Sequence, residues 1–97
     1  MNIVKIYYLE HPEKNTPLYV GATTGKLSLR LKAHNEKIYK KGPHSKEALD
    51  LRRKGLRFRI CEIDQVPVGE RGFWKQYWVE QLQAWGFRLA NSPRGHK

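Results

Sequence analysis

Two short runs near the start of the chain, Val4-Lys5-Ile6-Tyr7-Tyr8-Leu9 and Leu18-Tyr19-Val20-Gly21, leave it little freedom in how it begins. Both are dense in β-branched and aromatic side chains, which suit a pleated sheet better than a helix. Between them lies His11-Pro12-Glu13-Lys14-Asn15-Thr16-Pro17, whose two prolines and asparagine mark a loop. The pattern predicts an antiparallel hairpin with a loop of about eight residues.

Beyond the hairpin the chain reads as helices around one more strand. Thr23 or Thr24 can cap a helix running to about Tyr39, with Leu27, Leu31 and Ile38 inward and Lys26, Lys32 and Lys37 on its wet side. Arg30 and His34 are four apart and share one face of it. Lys40-Lys41-Gly42-Pro43 ends it. Ser45 caps a second helix to about Lys54, with Ala48, Leu49 and Leu51 inward and Gly55 as its stop. Leu56 to Ile63 alternates Leu56, Phe58 and Ile60 against Arg57, Arg59 and Cys61, which predicts a third, half-buried strand. After a Pro67-Val68-Gly69 turn, Phe73, Trp74, Tyr77, Trp78, Leu82 and Trp85 recur at helical spacing from Glu70 to Trp85, and Gly86 closes that helix. Phe87 to Asn91 is an extended return, and residues 92–97 form a polar, flexible tail. The expected fold is α/β: a small three-stranded antiparallel sheet flanked by helices, in the order β-β-α-α-β-α.

At 97 residues there is room for one core, so residues 1–97 read as a single domain. With one cysteine, Cys61, no internal disulfide can form, which points to a reducing, cytoplasmic setting. No apolar run approaches the roughly 20 residues that cross a bilayer. Scattered histidines and a lone cysteine lack the ligand spacing of a zinc site, and Cys61 at mid-strand reads as a small core residue.

Charge narrows the function. Lys and Arg number 19 against 9 Asp and Glu, and twelve basic against three acidic residues lie between Lys26 and Arg59. A concentrated basic stretch is the electrostatic footprint of a polyanion partner. Lys26, Lys32, Lys37, Lys40, Lys41, Arg52, Arg53, Arg57 and Arg59 are the candidate nucleic-acid contacts, and the stretch lacks the large apolar face of a membrane-bound helix. Set among these are phenols that can hold a water, guanidinium groups that can neutralise a phosphate, and a helix carboxylate, Glu80, that can carry a metal ion.

Ile6-Tyr7 and Tyr19-Val20-Gly21, then Arg30 and His34 on one helix, Glu80 in Trp78-Val79-Glu80-Gln81-Leu82, and Asn91 near the end resemble the GIY-YIG nuclease superfamily in order and spacing. The resemblance spans roughly Lys5 to Asn91. Gly42-Pro43-His44-Ser45, followed by a short helix and Gly55, is similar to its phage homing-endonuclease branch. Lys5 stands where the family's first triplet has glycine.

The resemblance implies a metal-dependent endonuclease that nicks DNA, leaving 5′-phosphate and 3′-hydroxyl ends. Tyr7 would position or deprotonate the water, Tyr19 would hold the phosphate or the water, and Arg30 would neutralise the phosphate. His34 would assist, and Glu80 would bind one Mg²⁺ or Mn²⁺. Gly21 would let the backbone turn tightly into the helix. His44 would support the site, and Asn91 would tie the C-terminal return to it. DNA is the expected partner, with RNA left open. Homing endonucleases of this type carry a separate DNA-recognition region, so a targeting partner protein or a transient dimer is expected as well. The alternative is a nucleic-acid-binding module that kept the scaffold without the catalysis.

Overall fold

A computed structural model describes residues 2–35 and 45–91. Three antiparallel strands, β1 (Ile3–His11), β2 (Thr16–Thr23) and β3 (Arg59–Pro67), form one sheet in the order β2-β1-β3. Helices α1 (Leu27–Asn35) and α2 (Ser45–Arg53) separate β2 from β3, and α3 (Arg71–Ala84) follows a single 3₁₀ turn, Val68–Glu70. The predicted order β-β-α-α-β-α is the observed one. Among the described residues no helix is long and apolar enough to cross a membrane.

Central position makes β1 apolar on both faces. Val4 and Ile6 join Val20, Ala22 and Val66 beneath Val79 and Leu82 of α3. Tyr7 and Leu9 point the other way and meet Leu18, Phe58 and the α2 residues Ala48 and Leu51. Strand neighbours alternate between faces, so Tyr7 and Tyr8 part company, and Tyr8 packs under α3.

The hairpin turn is tighter than predicted. Pairing reaches His11 opposite Thr16, and Asn15 takes the left-handed conformation at φ 55° that its short polar side chain tolerates. Leu9 pairs with Tyr19 but Glu10 with Pro17, so Leu18 is a bulged residue. The bulge lets two consecutive residues, Leu18 and Tyr19, both pack into the α2-side core. A second bulge leaves Ile63 unmatched opposite Ile6 and Tyr7.

Other boundaries also shift. Thr23 ends β2 instead of capping α1; its Oγ1 accepts the Gly25 N–H at 3.0 Å. The predicted α1 positions Lys37, Ile38 and Tyr39, the stop at Lys40-Lys41-Gly42-Pro43, His44 and the tail 92–97 lie outside the described residues. Leu56 lies in the turn that closes α2, outside β3. Gly55 sits at φ 74°, and the Leu56 N–H reaches back to the Leu51 carbonyl at 2.8 Å, a Schellman stop. The same device ends α3, with Gly86 at φ 99° and Phe87 N–H to Leu82 O at 3.1 Å. The aromatic stripe of α3 is only half inward: Trp74 and Trp78 pack on the core, while Phe73 and Trp85 stay 65% and 63% exposed. Phe73, Trp74, Tyr77 and Trp78 form an edge-to-face ladder instead.

Gly21 is a packing residue and not the turn expected from the sequence. It lies in β2 directly opposite Tyr7, and a Cβ there would collide with the end of the Tyr7 ring. Gly21→Ala is therefore expected to destabilise the fold by about 2 kcal/mol or more in urea denaturation, because the buried ring has no free space to move into. In a Tyr7→Leu background the same added methyl should cost markedly less.

Candidate functional site at the edge of the sheet

β2 is an edge strand, and its outward backbone groups must find partners. The C-terminal return and α3 supply them. The Ala90 N–H bonds the Leu18 carbonyl at 2.6 Å. The Asn91 side chain bonds both backbone groups of Val20, accepting from its N–H at 2.8 Å and donating to its carbonyl at 2.9 Å. Two residues on, the Arg71 guanidinium donates to the Ala22 carbonyl at 2.9 Å. Asn91 thus ties the return to the strand between Tyr19 and Gly21, and Arg71 holds the first turn of α3 against the same edge.

On the α1 side of this edge, Tyr7 and His34 meet. Their Oη and Nε2 atoms are 2.7 Å apart, with Tyr7 0% and His34 1% exposed. The Tyr19 ring lies 5.5 Å from the His34 ring between centroids, and the Tyr7 ring 5.8 Å. Arg30 lies one turn before His34 on α1, and its guanidinium acts on the Tyr7 phenol. Burial nevertheless dominates and pushes the Tyr7 pKa up, against the hydrogen-bonding and charge of Arg30 and the charge of Arg71. Burial, then the neighbouring Tyr7, also raises Tyr19, with Arg30 opposing. Both phenols are therefore neutral at pH 7 and able to donate. In the buried pair, Tyr7 donates when Nε2 is bare and accepts when Nε2 carries the proton.

Two cations that the sequence motifs did not single out, Arg71 and Lys75, also stand here. Lys75 is half-buried, with Nζ 5.8 Å from the centroid of the Tyr19 ring. Burial first, then the charges of Arg71 and Arg30, lower its pKa. Their spacing held the signal. Arg71 and Lys75 are four apart and lie in the stripe of α3 that carries Trp78, Val79 and Leu82.

Glu80 is not brought to this cluster. At about 100° per residue it lies roughly 140° around α3 from Lys75 and 160° from the buried Leu82. It is exposed and accepts a hydrogen bond from Gln76 Nε2 at 2.9 Å. A metal ion on Glu80 would sit on the far side of the helix from the phenols. Among the described residues, Arg30 and Arg71 are the charged groups that act most on Tyr7 and Lys75, and Arg30 acts on Tyr19 as well. Among the described residues no group of three or more His, Cys, Asp or Glu could hold a metal ion. The described donors facing the tyrosines do not fit a divalent cation.

The predicted nucleic-acid contacts divide. Lys26, Lys32, Arg52, Arg53 and Arg57 are exposed, and Lys32, Arg52 and Arg57 line one groove with Ser28 and Asn35. Arg59 is committed to the hairpin: it donates to the Pro12 carbonyl at 2.9 Å and to Asn15 Oδ1 at 2.7 Å, and pairs with Glu10 at 3.4 Å. Lys37, Lys40 and Lys41 lie outside the described residues.

Tyr7→Phe leaves His34 without its phenol partner inside the core and should cost about 1–3 kcal/mol at pH 7. The variant should also behave differently in alkali. The folded protein holds the Tyr7 proton more tightly than the unfolded chain does. That contribution is complete below the ordinary tyrosine pKa of about 10 and is lost as pH rises toward the higher folded value. Thermal melts from pH 8 to 11 should therefore fall more steeply for the wild type than for Tyr7→Phe.

Comparison with known proteins returned no match, whether to protein-family models, to curated proteins or to solved structures. The GIY-YIG pattern is thus a resemblance in residues and spacing, and the function must be argued from the site itself.

Proposed function

We propose that the chain binds nucleic acid, DNA first of all, at the cationic edge of β2 and hydrolyses its phosphodiester bonds as an endonuclease. One observation carries this reading: the 2.7 Å bond between the buried Tyr7 hydroxyl and His34 Nε2, with Arg30 acting on the same phenol. Packing alone does not call for it. An apolar pair would fill that space without desolvating a hydroxyl and an imidazole.

The chemistry assigned to the site is simple. A water oxygen bonds to phosphorus, the bond to the 3′ oxygen breaks, the water gives up a proton and the departing oxygen gains one. Arg30, Arg71 and Lys75 converge from two helices on the tyrosines and offset the negative charge that builds on the non-bridging oxygens. Tyr19 is half-buried, keeps its proton at neutral pH, and can hold the phosphate or the water by donating to it. Behind it, His34 is the group that can take up the water's proton, relayed through the Tyr7 hydroxyl. The exposed Lys26, Lys32, Arg52, Arg53 and Arg57 would follow the nucleic-acid backbone without reading its bases.

The depth of Tyr7 and His34 favours a second reading. Groups 0% and 1% exposed could lock the scaffold of a module that binds nucleic acid without cutting it.

Nicking of supercoiled plasmid, with Mg²⁺, with Mn²⁺ and with EDTA, separates the two when run beside anisotropy of a labelled duplex. On the nuclease reading the wild type nicks. Arg30→Ala then loses about 100-fold or more in rate, as removal of one transition-state donor does, while duplex binding weakens far less. Binding with no cleavage of plasmid, branched or single-stranded DNA would leave the binding module.

A further inference from the structure

We infer that the phosphodiester site of this chain is built to work without a divalent metal: Arg30, Arg71 and Lys75 form a three-cation cradle beside the tyrosines, and the Lys75 ammonium over the Tyr19 ring supplies positive charge in place of a metal ion. This rests on the nucleic-acid reading above and specifies how the phosphate is held.

Direction around α3 separates the cations from the carboxylate. The helix turns Arg71 and Lys75 toward the sheet, and it turns Glu80, its one carboxylate, roughly 140° away from Lys75. Both cations also stand at the stretch of β2 that carries the second tyrosine. Arg71 is anchored on the Ala22 carbonyl, one residue beyond Gly21, and Lys75 Nζ lies over the Tyr19 ring. Among the described residues neither Arg30, Arg71 nor Lys75 has a carboxylate partner, and burial, then the Arg71 and Arg30 guanidinium groups, destabilise the Lys75 ammonium. Arg30 Nε is buried and has no hydrogen-bond partner among the described residues.

Three cations with no carboxylate partner among the described residues, one of them with a buried Nε that has no acceptor there, are a costly arrangement, and an anion relieves it. A phosphodiester supplies that anion: its non-bridging oxygens accept from guanidinium and ammonium alike. A divalent cation would add two positive charges to a place that already repels them, with no carboxylate among the described residues beside the phenols to offset the addition.

The test uses the intact chain and thymidine 3′,5′-bisphosphate as probe, titrated calorimetrically at low salt in EDTA and again in Mn²⁺. Binding in EDTA is expected, weakened roughly tenfold or more in Lys75→Gln and largely restored in Lys75→Arg, with Glu80→Gln unchanged. Proton relaxation by Mn²⁺ alone is expected to be the same for wild type and Glu80→Gln. Circular dichroism melts confirm that each variant is folded. The inference is overturned if probe binding requires Mn²⁺ and Glu80→Gln abolishes it, or if folded Lys75→Gln binds as the wild type does. These outcomes are separate from those of the nicking assay. A chain that binds the probe in EDTA but never cuts keeps the cradle and loses the nuclease reading. A chain whose cutting needs both Mn²⁺ and Glu80 keeps the nuclease reading and loses the cradle.

Discussion

A hydroxyl in the middle of the sheet is the constraint around which the rest of this molecule is arranged. Tyr7 sits on the central strand, fully buried, where an aliphatic residue would pack with no polar obligation. Its ring needs space and its oxygen needs a partner. Gly21, directly opposite on β2, provides the space by having no side chain. His34 provides the partner, which in turn fixes the angle and register of α1 on the sheet. Asn35 then secures the next element, accepting the Phe58 N–H at 2.9 Å as the chain enters β3. Residues from four segments are thus committed by one phenol.

The second constraint is an open edge. β2 pairs with β1 on one side only, and unpaired backbone groups invite another chain to add a strand. Here the edge is closed by the molecule itself through Ala90, Asn91 and Arg71. Closing it does more than satisfy hydrogen bonds. It draws the start of α3 up to the tyrosines, so that cations far apart in sequence share a site with Arg30. Site and edge protection are one piece of structure, which is why Asn91 belongs to both.

How much of this was legible depends on the range of each interaction. The hairpin, the helices and their order were readable because strand alternation, helical spacing and the glycines after α2 and α3 act locally. The strand predicted over Leu56 to Ile63 kept its alternation, with Leu56, Phe58 and Ile60 on the α2-side core, but it begins only at Arg59 because Leu56 is held by the Schellman bond that closes α2. The Leu18 bulge depends on which β1 residue pairs with Pro17, a cross-strand fact that the sequence does not display. The pairing of Tyr7 with His34 spans 27 residues, and nothing local foreshadows it. Glu80 is a different kind of miss. Taking the helix carboxylate by its order along the chain ignored its angle, although Leu82, Val79 and Trp78 marked the inward face and put Lys75 there instead.

Angle also decides what the charge of this protein is for. A net charge of +10 by itself says only that polyanions are attracted, and most of the lysines and arginines can satisfy that role from the surface, fully hydrated. Arg30 and Lys75 are half-buried, so part of their hydration has already been given up at a cost that no carboxylate in the described site returns. Folding tolerates that cost because the aromatic and aliphatic packing around Tyr7, Tyr19 and α3 outweighs it. Strain of this kind is kept where a ligand completes the structure, and a charge deficit placed against two hydrogen-bond-donating phenols is complementary to one group above all, the phosphate. On the proposed reading the surface basic residues would gather nucleic acid, and the half-buried Arg30 and Lys75 would set where along its backbone the protein closes.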